Sequence, residues 1–275
     1  MWFINLKVLM KLNVITMMKS IIENLINQIN ELSANGIKEV VLTGTQLGNY
    51  GFDLNEVSLG KLLIKILKET DVPRIRVSSL QPKEIDSEII SIWNNDGLGR
   101  ICPHFHVPLQ SGSDRILKVM RRRYTSSEYL HIVSNIKDLV PEASVTSDVI
   151  VGFPGESDSE FSQTIDVVGK AKLSDVHVFP YSKRPGTTAF YSKNHVQDSV
   201  IKQRSKELLN LVDELSGAAK KSLIGKERSI LWEGQSKASG LTEDYFKVVR
   251  KFSRAPEDEI SKEKIKGLED NKIIV

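Results

Sequence analysis

What most constrains the fold of this chain is an alternation. Between residues 21 and 215, short β-branched runs give way to polar loops and then to stretches whose apolar residues recur every third or fourth position. Ile21, Ile22, Leu25, Ile26, Ile29 and Leu32 share one helical face, and Asn35-Gly36 supplies a left-handed stop. Lys38–Gly44 then reads as a strand and Leu59–Leu67 as its helix. Arg74–Ser79 alternates like a strand, and Pro82 stands where a first helical turn tolerates proline, opening a helix to about Trp93. Ile101–Leu109, Ser144–Val151 and Leu173–Phe179 are further strands, and Asp198–Leu215 is a long amphipathic helix. About five such units of roughly 25–35 residues predict an α/β fold, with a parallel sheet covered by helices. Right-handed crossovers make that sheet either an open doubly wound one or an incomplete barrel.

Two helix starts are explicit, because Thr125…Glu128 and Ser157…Glu160 both have the hydroxyl-to-Glu spacing of a capping box. From about Gly225 the period changes. Lys226–Trp232, Tyr245–Val249 and Lys272–Val275 have strand composition, whereas Glu233–Gly240 and Ala255–Lys266 read as loops. The expected division is therefore an atypical segment at 1–20, an α/β domain at 21–222 and a small β module at 223–275 that leans on it. Lys and Arg number 38 against 35 Asp and Glu, a formal charge of +3, so nucleic-acid contact has to come from local patches rather than a uniform basic coat. Lys7 and Lys11 interrupt the apolar N-terminus well short of the ~20 residues of a bilayer span, and a cytoplasmic protein is expected. The single cysteine, Cys102, excludes an internal disulfide and any site built from several thiolates of this chain.

In a parallel α/β fold ligands bind beyond the carboxyl ends of strands, which singles out four loops. Thr43-Gly44-Thr45-Gln46-Leu47-Gly48-Asn49-Tyr50-Gly51 combines glycines, which let a ligand approach the backbone, with polar side chains suited to the charged ends of an amino acid. His106-Val107-Pro108-Leu109-Gln110-Ser111-Gly112-Ser113 ends in a polar turn before a helix. His104 and His106 share a face of this strand, but two histidines without an acidic or thiol partner at matching spacing assign no metal. Asp148–Glu156 opens into a Gly-Phe-Pro-Gly turn fit to meet a flat ring such as adenine, and Phe179–Thr187 is a stiff rim carrying Lys183 and Arg184. Lys118, Arg121, Arg122 and Arg123 beside Tyr124 pair cations with an aromatic, as RNA contact requires; such runs also serve simply to complement a helix dipole.

Taken in order, TGTQLGNYG, HVPLQSGSDRILKVMRRRYT, SDVIVGFPGE and HVFPYSKRPGT resemble the radical-SAM methylthiotransferases that modify tRNA, and most closely the branch acting on threonylcarbamoyl-adenosine beside the anticodon. Gly240–Val248 resembles that family's terminal RNA-binding β-barrel module, TRAM. The resemblance implies an incomplete parallel (β/α) barrel binding S-adenosylmethionine against a [4Fe–4S] cluster, with tRNA as partner. It places Thr43, Gly44 and Gln46 near the methionine part of the cofactor, Gln110 and Ser111 in the central cavity, and Val151, Gly152 and Phe153 near the adenine. Arg121, Arg122, Arg123, Lys183, Arg184, Tyr245 and Lys247 would face RNA.

The chain departs from that family where the chemistry is most demanding. The family holds its radical-generating cluster on a Cys-x3-Cys-x2-Cys loop before the first helix, and the corresponding Val8–Ser20 contains no cysteine. Three readings follow: an enzyme component whose missing amino-terminal half comes from another polypeptide or lies outside the sequence given, a non-catalytic RNA- and cofactor-binding module, or a decayed gene fragment. Residues 1–10 have two readings on sequence, a substitute for a missing first strand beside Val40–Leu42 or a disordered leader.

Overall fold

The computed structural model describes residues 2–5, 14–52, 57–95, 99–233, 239–250 and 259–275, with the backbone alone at 2–5, 14–21 and 95. Strands and helices alternate through β1 (Trp2–Asn5), α1 (Val14–Ala34), β2 (Glu39–Thr43), α2 (Leu59–Glu69), β3 (Arg74–Val77), α3 (Ser87–Asn95) and β4 (His104–His106). Next come α4 (Asp114–Val119), α5 (Ser126–Leu139), β5 (Ser144–Val151), α6 (Asp158–Ala171), β6 (Asp175–Pro180) and α7 (Asp198–Lys221). Six strands close the chain: β7 (Glu227–Glu233), β8 (Ser239–Thr242), β9 (Lys247–Val249), β10 (Ile260–Lys264), β11 (Gly267–Glu269) and β12 (Lys272–Ile274). This is the expected α/β class with a C-terminal antiparallel module. Among the described residues no helix is long and apolar enough to cross a membrane.

The chain forms two compact units, the first from Met1–Phe105, Ile136–Ser144 and Leu223–Val275, the second from His106–Asn135 and Val145–Ser222. In the first, β1, β2 and β3 pair in parallel, with Phe3 opposite Val41 and Val41 opposite Arg76. The strand expected from residues 1–10 thus lies beside β2 over Trp2–Asn5; residues 6–10 are outside the described residues. Helix α2 turns Leu59, Leu62, Leu63, Ile66 and Leu67 inward, and the Ser58 hydroxyl caps it by accepting from the Lys61 amide at 3.2 Å. The helix expected from Pro82 is broken: Pro82–Glu84 is a single 3-10 turn, and α3 starts at Ser87 where Asp86 Oδ1 accepts from the Ile89 amide at 2.8 Å. A proline-led turn and a separate Asp cap divide what apolar spacing alone reads as continuous.

The C-terminal sheet has the order β10-β7-β8-β9-β12-β11, around a core that includes Ile230, Trp232, Val248 and Ile273. Two stretches expected as loops contain strands, β8 within 233–240 and its continuation, and β10 within 255–266. Their charged and small residues are tolerated because β10 pairs along one side only, at the end of the sheet, and because Gly240 lets β8 approach Ile230 and Trp232 closely. Within the same unit, buried Glu39 accepts from Arg76 Nε at 2.9 Å and pairs with Arg74 Nη2 at 2.8 Å, while the two guanidiniums donate to the carbonyls of Leu241, Thr242 and Glu243. The parallel sheet and β8 are therefore joined by paired charges, an arrangement costly to break from either side.

The second unit is built on β5. Strand β6 flanks it in parallel, with Asp148 opposite His177 and Val151 opposite Pro180. On its other side the extended segment after His106 follows it: the Val107 amide donates to Thr146 O, the Gln110 amide to Asp148 O, and the Ile150 amide to Gln110 O. Both capping boxes form, Thr125 with Glu128 and Ser157 with Glu160. Helix α7 runs past the expected Leu215 to Lys221 and packs on β6.

Candidate functional site

Three neighbouring strand ends of the second unit carry five of the eight cofactor-binding candidates that the sequence singled out, Gln110, Ser111, Val151, Gly152 and Phe153. Gln110 stands at the first in a left-handed backbone conformation, φ 66°, held by its two main-chain bonds to β5. Such a conformation persists in a non-glycine residue only where surroundings enforce it. Ser111 and Gly112 follow, packed on α6: the Gly112 amide donates to Thr164 Oγ1 at 2.9 Å, and a Cβ on Gly112 would lie 2.5 Å from Thr164 Cα. Glycine is demanded there by close approach of two backbones.

Val151, Gly152 and Phe153 form the second strand end. The Gly152 amide donates to the carboxylate of Glu156 at 2.9 Å, and Arg204 of α7 donates to the same oxygen at 2.8 Å and to Asp158 at 2.6 Å. Burial pushes the Glu156 carboxyl up despite these donors. At the third end the Tyr181 amide donates to Val151 O at 2.8 Å, and the Tyr181 ring stands edge-on to Phe153 with centroids 5.5 Å apart. The Tyr181 hydroxyl is buried without a hydrogen-bond partner among the described residues.

Glu160 ties these loops together. Its carboxylate accepts from Arg115 Nε and Nη2 at 2.6 and 2.7 Å, from Ser113 Oγ at 3.1 Å, and from the amide and hydroxyl of Ser157, each at 2.9 Å. Arg115 also donates to Gly155 O at 2.6 Å. The Arg115 guanidinium foremost, against the opposing effect of burial, holds the Glu160 carboxyl at about 2. Neither Glu160 nor Arg204 stood out in the sequence beyond a cap and a helical cation; their burial, at 8% and 6% exposure, marks them.

A second cluster lies on the same three strands. His106 Nε2 is 3.2 Å from Asp148 Oδ2, and His177 Nδ1 is 3.1 Å from Asp148 Oδ1. The other ring nitrogen of His106 lies 3.0 Å from Thr146 Oγ1. Burial raises the Asp148 carboxyl, but the hydrogen bonds and charge of His106 and then His177 outweigh it and leave it below the usual range. The partner expected for His106 on sequence, His104, instead stacks its ring on Tyr245 at 4.2 Å.

The remaining sequence-selected residues are distributed as follows. Thr43 ends β2, with Gly44 beyond it, and Gln46 precedes a 3-10 turn in the first unit. Arg121 and Arg123 are exposed and Arg122 half-buried, but Tyr124, read beside them as a stacking aromatic, is buried with its hydroxyl donating to Pro108 and Leu109 carbonyls. That ring is unavailable to a base, because the chain needs its hydroxyl to close the strand end. Lys183, Arg184 and Lys247 are exposed, and Tyr245 is half-exposed over His104, with Arg76 5.0 Å from its centroid. Cys102 is 1% exposed, its Sγ 3.8 Å from Glu39, and burial raises its thiol pKa.

The Radical SAM superfamily model matches residues 16–168. The chain is 40% identical over 222 residues to a tRNA-2-methylthio-N(6)-dimethylallyladenosine synthase of Caldicellulosiruptor saccharolyticus, covering 80% of this chain and 47% of that protein. It is 38% identical over 251 residues to the threonylcarbamoyladenosine tRNA methylthiotransferase MtaB of Bacillus subtilis, covering 88% and 55%. The chain spans about half the length of the curated relatives it matches. Among solved structures, coproporphyrinogen III oxidase HemN of Escherichia coli superposes with a TM-score of 0.51 at 14% identity, over 82% of this chain and 54% of that one. That likeness concerns the fold alone.

Proposed function

The chain belongs to the Radical SAM superfamily, and from that premise we propose that it provides the S-adenosylmethionine-binding and RNA-facing surfaces of a tRNA methylthiotransferase. The observation that carries this reading is the trio of adjacent strand ends at Gln110, Val151–Phe153 and Tyr181, where the Tyr181 ring packs edge-on to Phe153 and its buried hydroxyl has no partner among the described residues. A buried hydroxyl without a partner costs on the order of 1–3 kcal/mol, so a ligand that supplies an acceptor or donor there is favoured. Gln110, Ser111, Val151, Gly152 and Phe153 would hold the cofactor in this unit; for Thr43, Gly44 and Gln46 a cofactor role is proposed on the family resemblance alone. When bound, S-adenosylmethionine supplies a methyl group and an adenosyl group. Arg121, Arg122, Arg123, Lys183, Arg184, Tyr245 and Lys247 are the proposed RNA contacts, and tRNA the proposed substrate. The relatives are named for two different modified adenosines, and threonylcarbamoyl-adenosine is the one proposed here.

A [4Fe–4S] cluster does not fit the residues present. Clusters of this kind are held by several thiolates, whereas the one cysteine is enclosed beside Glu39, Arg74 and Arg76 with its thiol stabilised in the protonated form. The reaction therefore requires thiolates that these 275 residues do not contain, and their proposed source is a second polypeptide or residues of this protein outside the sequence given. Equilibrium dialysis of the isolated chain with S-adenosylmethionine tests the reading. Binding should weaken roughly five- to tenfold in Tyr181→Phe, the loss of about one hydrogen bond. A folded chain that does not bind the cofactor would overturn it. Anaerobic reconstitution yielding about four irons per chain, lost in Cys102→Ser, would overturn the statement about the cluster.

A further inference from the structure

We propose that His106, Asp148 and His177 form a binding site for one divalent first-row transition-metal ion, separate from any iron–sulfur chemistry and independent of the functional reading above. The register of the sheet builds it. Asp148 of β5 lies directly opposite His177 of β6, and His106 precedes the segment that runs along the other side of β5, so one carboxylate is flanked by an imidazole on each side. Strand pleating puts Thr146 and Asp148 on the face opposite Val145, Ser147, Val149 and Val151, whose side chains are buried. Two nitrogen donors and one oxygen donor thus converge from three adjacent strands.

The distances suit an ion. Donors about 2.0–2.2 Å from one tetrahedral or octahedral metal stand roughly 3–3.5 Å from each other. The carboxylate is 3.2 Å from one imidazole and 3.1 Å from the other, and single ligand atoms of all three residues lie within 4.8 Å of one another. Ångström-scale rotation of the half-exposed His177 ring closes the remaining gap. Thr146 Oγ1 faces Nδ1 of His106, the second-sphere contact that fixes which imidazole nitrogen is presented to a metal. Among the described residues no Lys or Arg forms an ion pair with Asp148 that an incoming cation would have to displace. The donor set of two imidazoles and one carboxylate selects Zn2+, Co2+ or Fe2+ over Mg2+ and Ca2+, which prefer all-oxygen sites. Because His177 is about half exposed, coordination positions remain open to water or to an anionic oxygen ligand.

The test is titration of the metal-stripped chain with Co2+, followed by visible absorption and by competition with Zn2+ and Mg2+. One Co2+ per chain is expected, displaced by Zn2+ and not by Mg2+. Asp148→Asn and His177→Ala should each weaken binding at least tenfold, Thr146→Val about tenfold, and His131→Ala, an exposed position on α5, should change nothing. Circular dichroism establishes that each variant is folded, and the exposure of His177 makes its truncation the mildest of them. Absence of stoichiometric binding in the wild-type chain, or binding that survives both Asp148→Asn and His177→Ala, would overturn the proposal.

Discussion

Glu160→Gln probes the joint that holds the loops of the second unit, and its effect can be worked out from the structure. The carboxylate is 8% exposed and accepts five hydrogen bonds, two of them from Arg115. Its pKa falls from 4.5 to about 2. At about 1.36 kcal/mol for each tenfold change in proton affinity, this corresponds to at most about 3.4 kcal/mol. Arg115 is 56% exposed at its side chain, and solvent screening of that half of the pair reduces the expectation to roughly 2 kcal/mol. The sign follows from the direction: a folded-state pKa below the unfolded one gives stability that is complete above pH 4.5 and is lost as pH falls toward 2. Glutamine keeps the shape and does not titrate. The difference between wild type and Glu160→Gln should therefore be about 2 kcal/mol at pH 6 and shrink toward zero near pH 2.5. Urea unfolding followed by far-UV circular dichroism is the assay, since Trp2, Trp93 and Trp232 all belong to the first unit. A difference that stays constant from pH 6 to pH 2.5 would refute the argument, because it would mean that charge at Glu160 contributes nothing.

Four further outcomes are expected. Gly152→Ala should destabilise by roughly 2–4 kcal/mol, because φ is +77° and the new Cβ would lie 2.3 Å from Ile201 Cγ1; thermal melts should show partial recovery when Ile201→Ala is added. Glu243, its carboxyl raised to about 7 by burial and with Oε2 lacking a partner among the described residues, works against folding as pH rises from 4.5 through 7, so Glu243→Gln should be more stable than wild type at pH 8, and the advantage should vanish at pH 4.5. Deleting residues 1–10 removes β1 and opens the edge of β2, so sedimentation should show aggregation; an unchanged monomer with the same Tm would mean that β1 contributes nothing. Lys183→Ala with Arg184→Ala should weaken tRNA binding and lower the slope of log affinity against log salt by about 0.7–0.9 for each phosphate no longer neutralised, and an unchanged slope would place the RNA elsewhere.

The parts of the fold that local chemistry dictates were legible in the sequence, and those that depend on neighbours were not. Glu39–Thr43 and Ser144–Val151 are rich in β-branched residues and mostly buried, so composition and environment agree, and the two capping boxes declare themselves by spacing alone. Ile260–Lys264, in contrast, reads ISKEK, and it is a strand because β7 offers it a ladder from Leu231 to Glu227, a reason visible only in the partner. The same distinction governs the candidate site. Gln110, Gly152 and Phe153 could be found because turns with glycine and proline follow strands. His106, Asp148 and His177 come from three strands far apart in sequence, and only the register that sets Asp148 opposite His177 reveals them as one cluster. In a parallel sheet, side chains that act together are joined by hydrogen bonds between strands whose sequence separation is set by the intervening helix. A motif search along the chain finds one ligand at a time, and the site emerges when register is added to it.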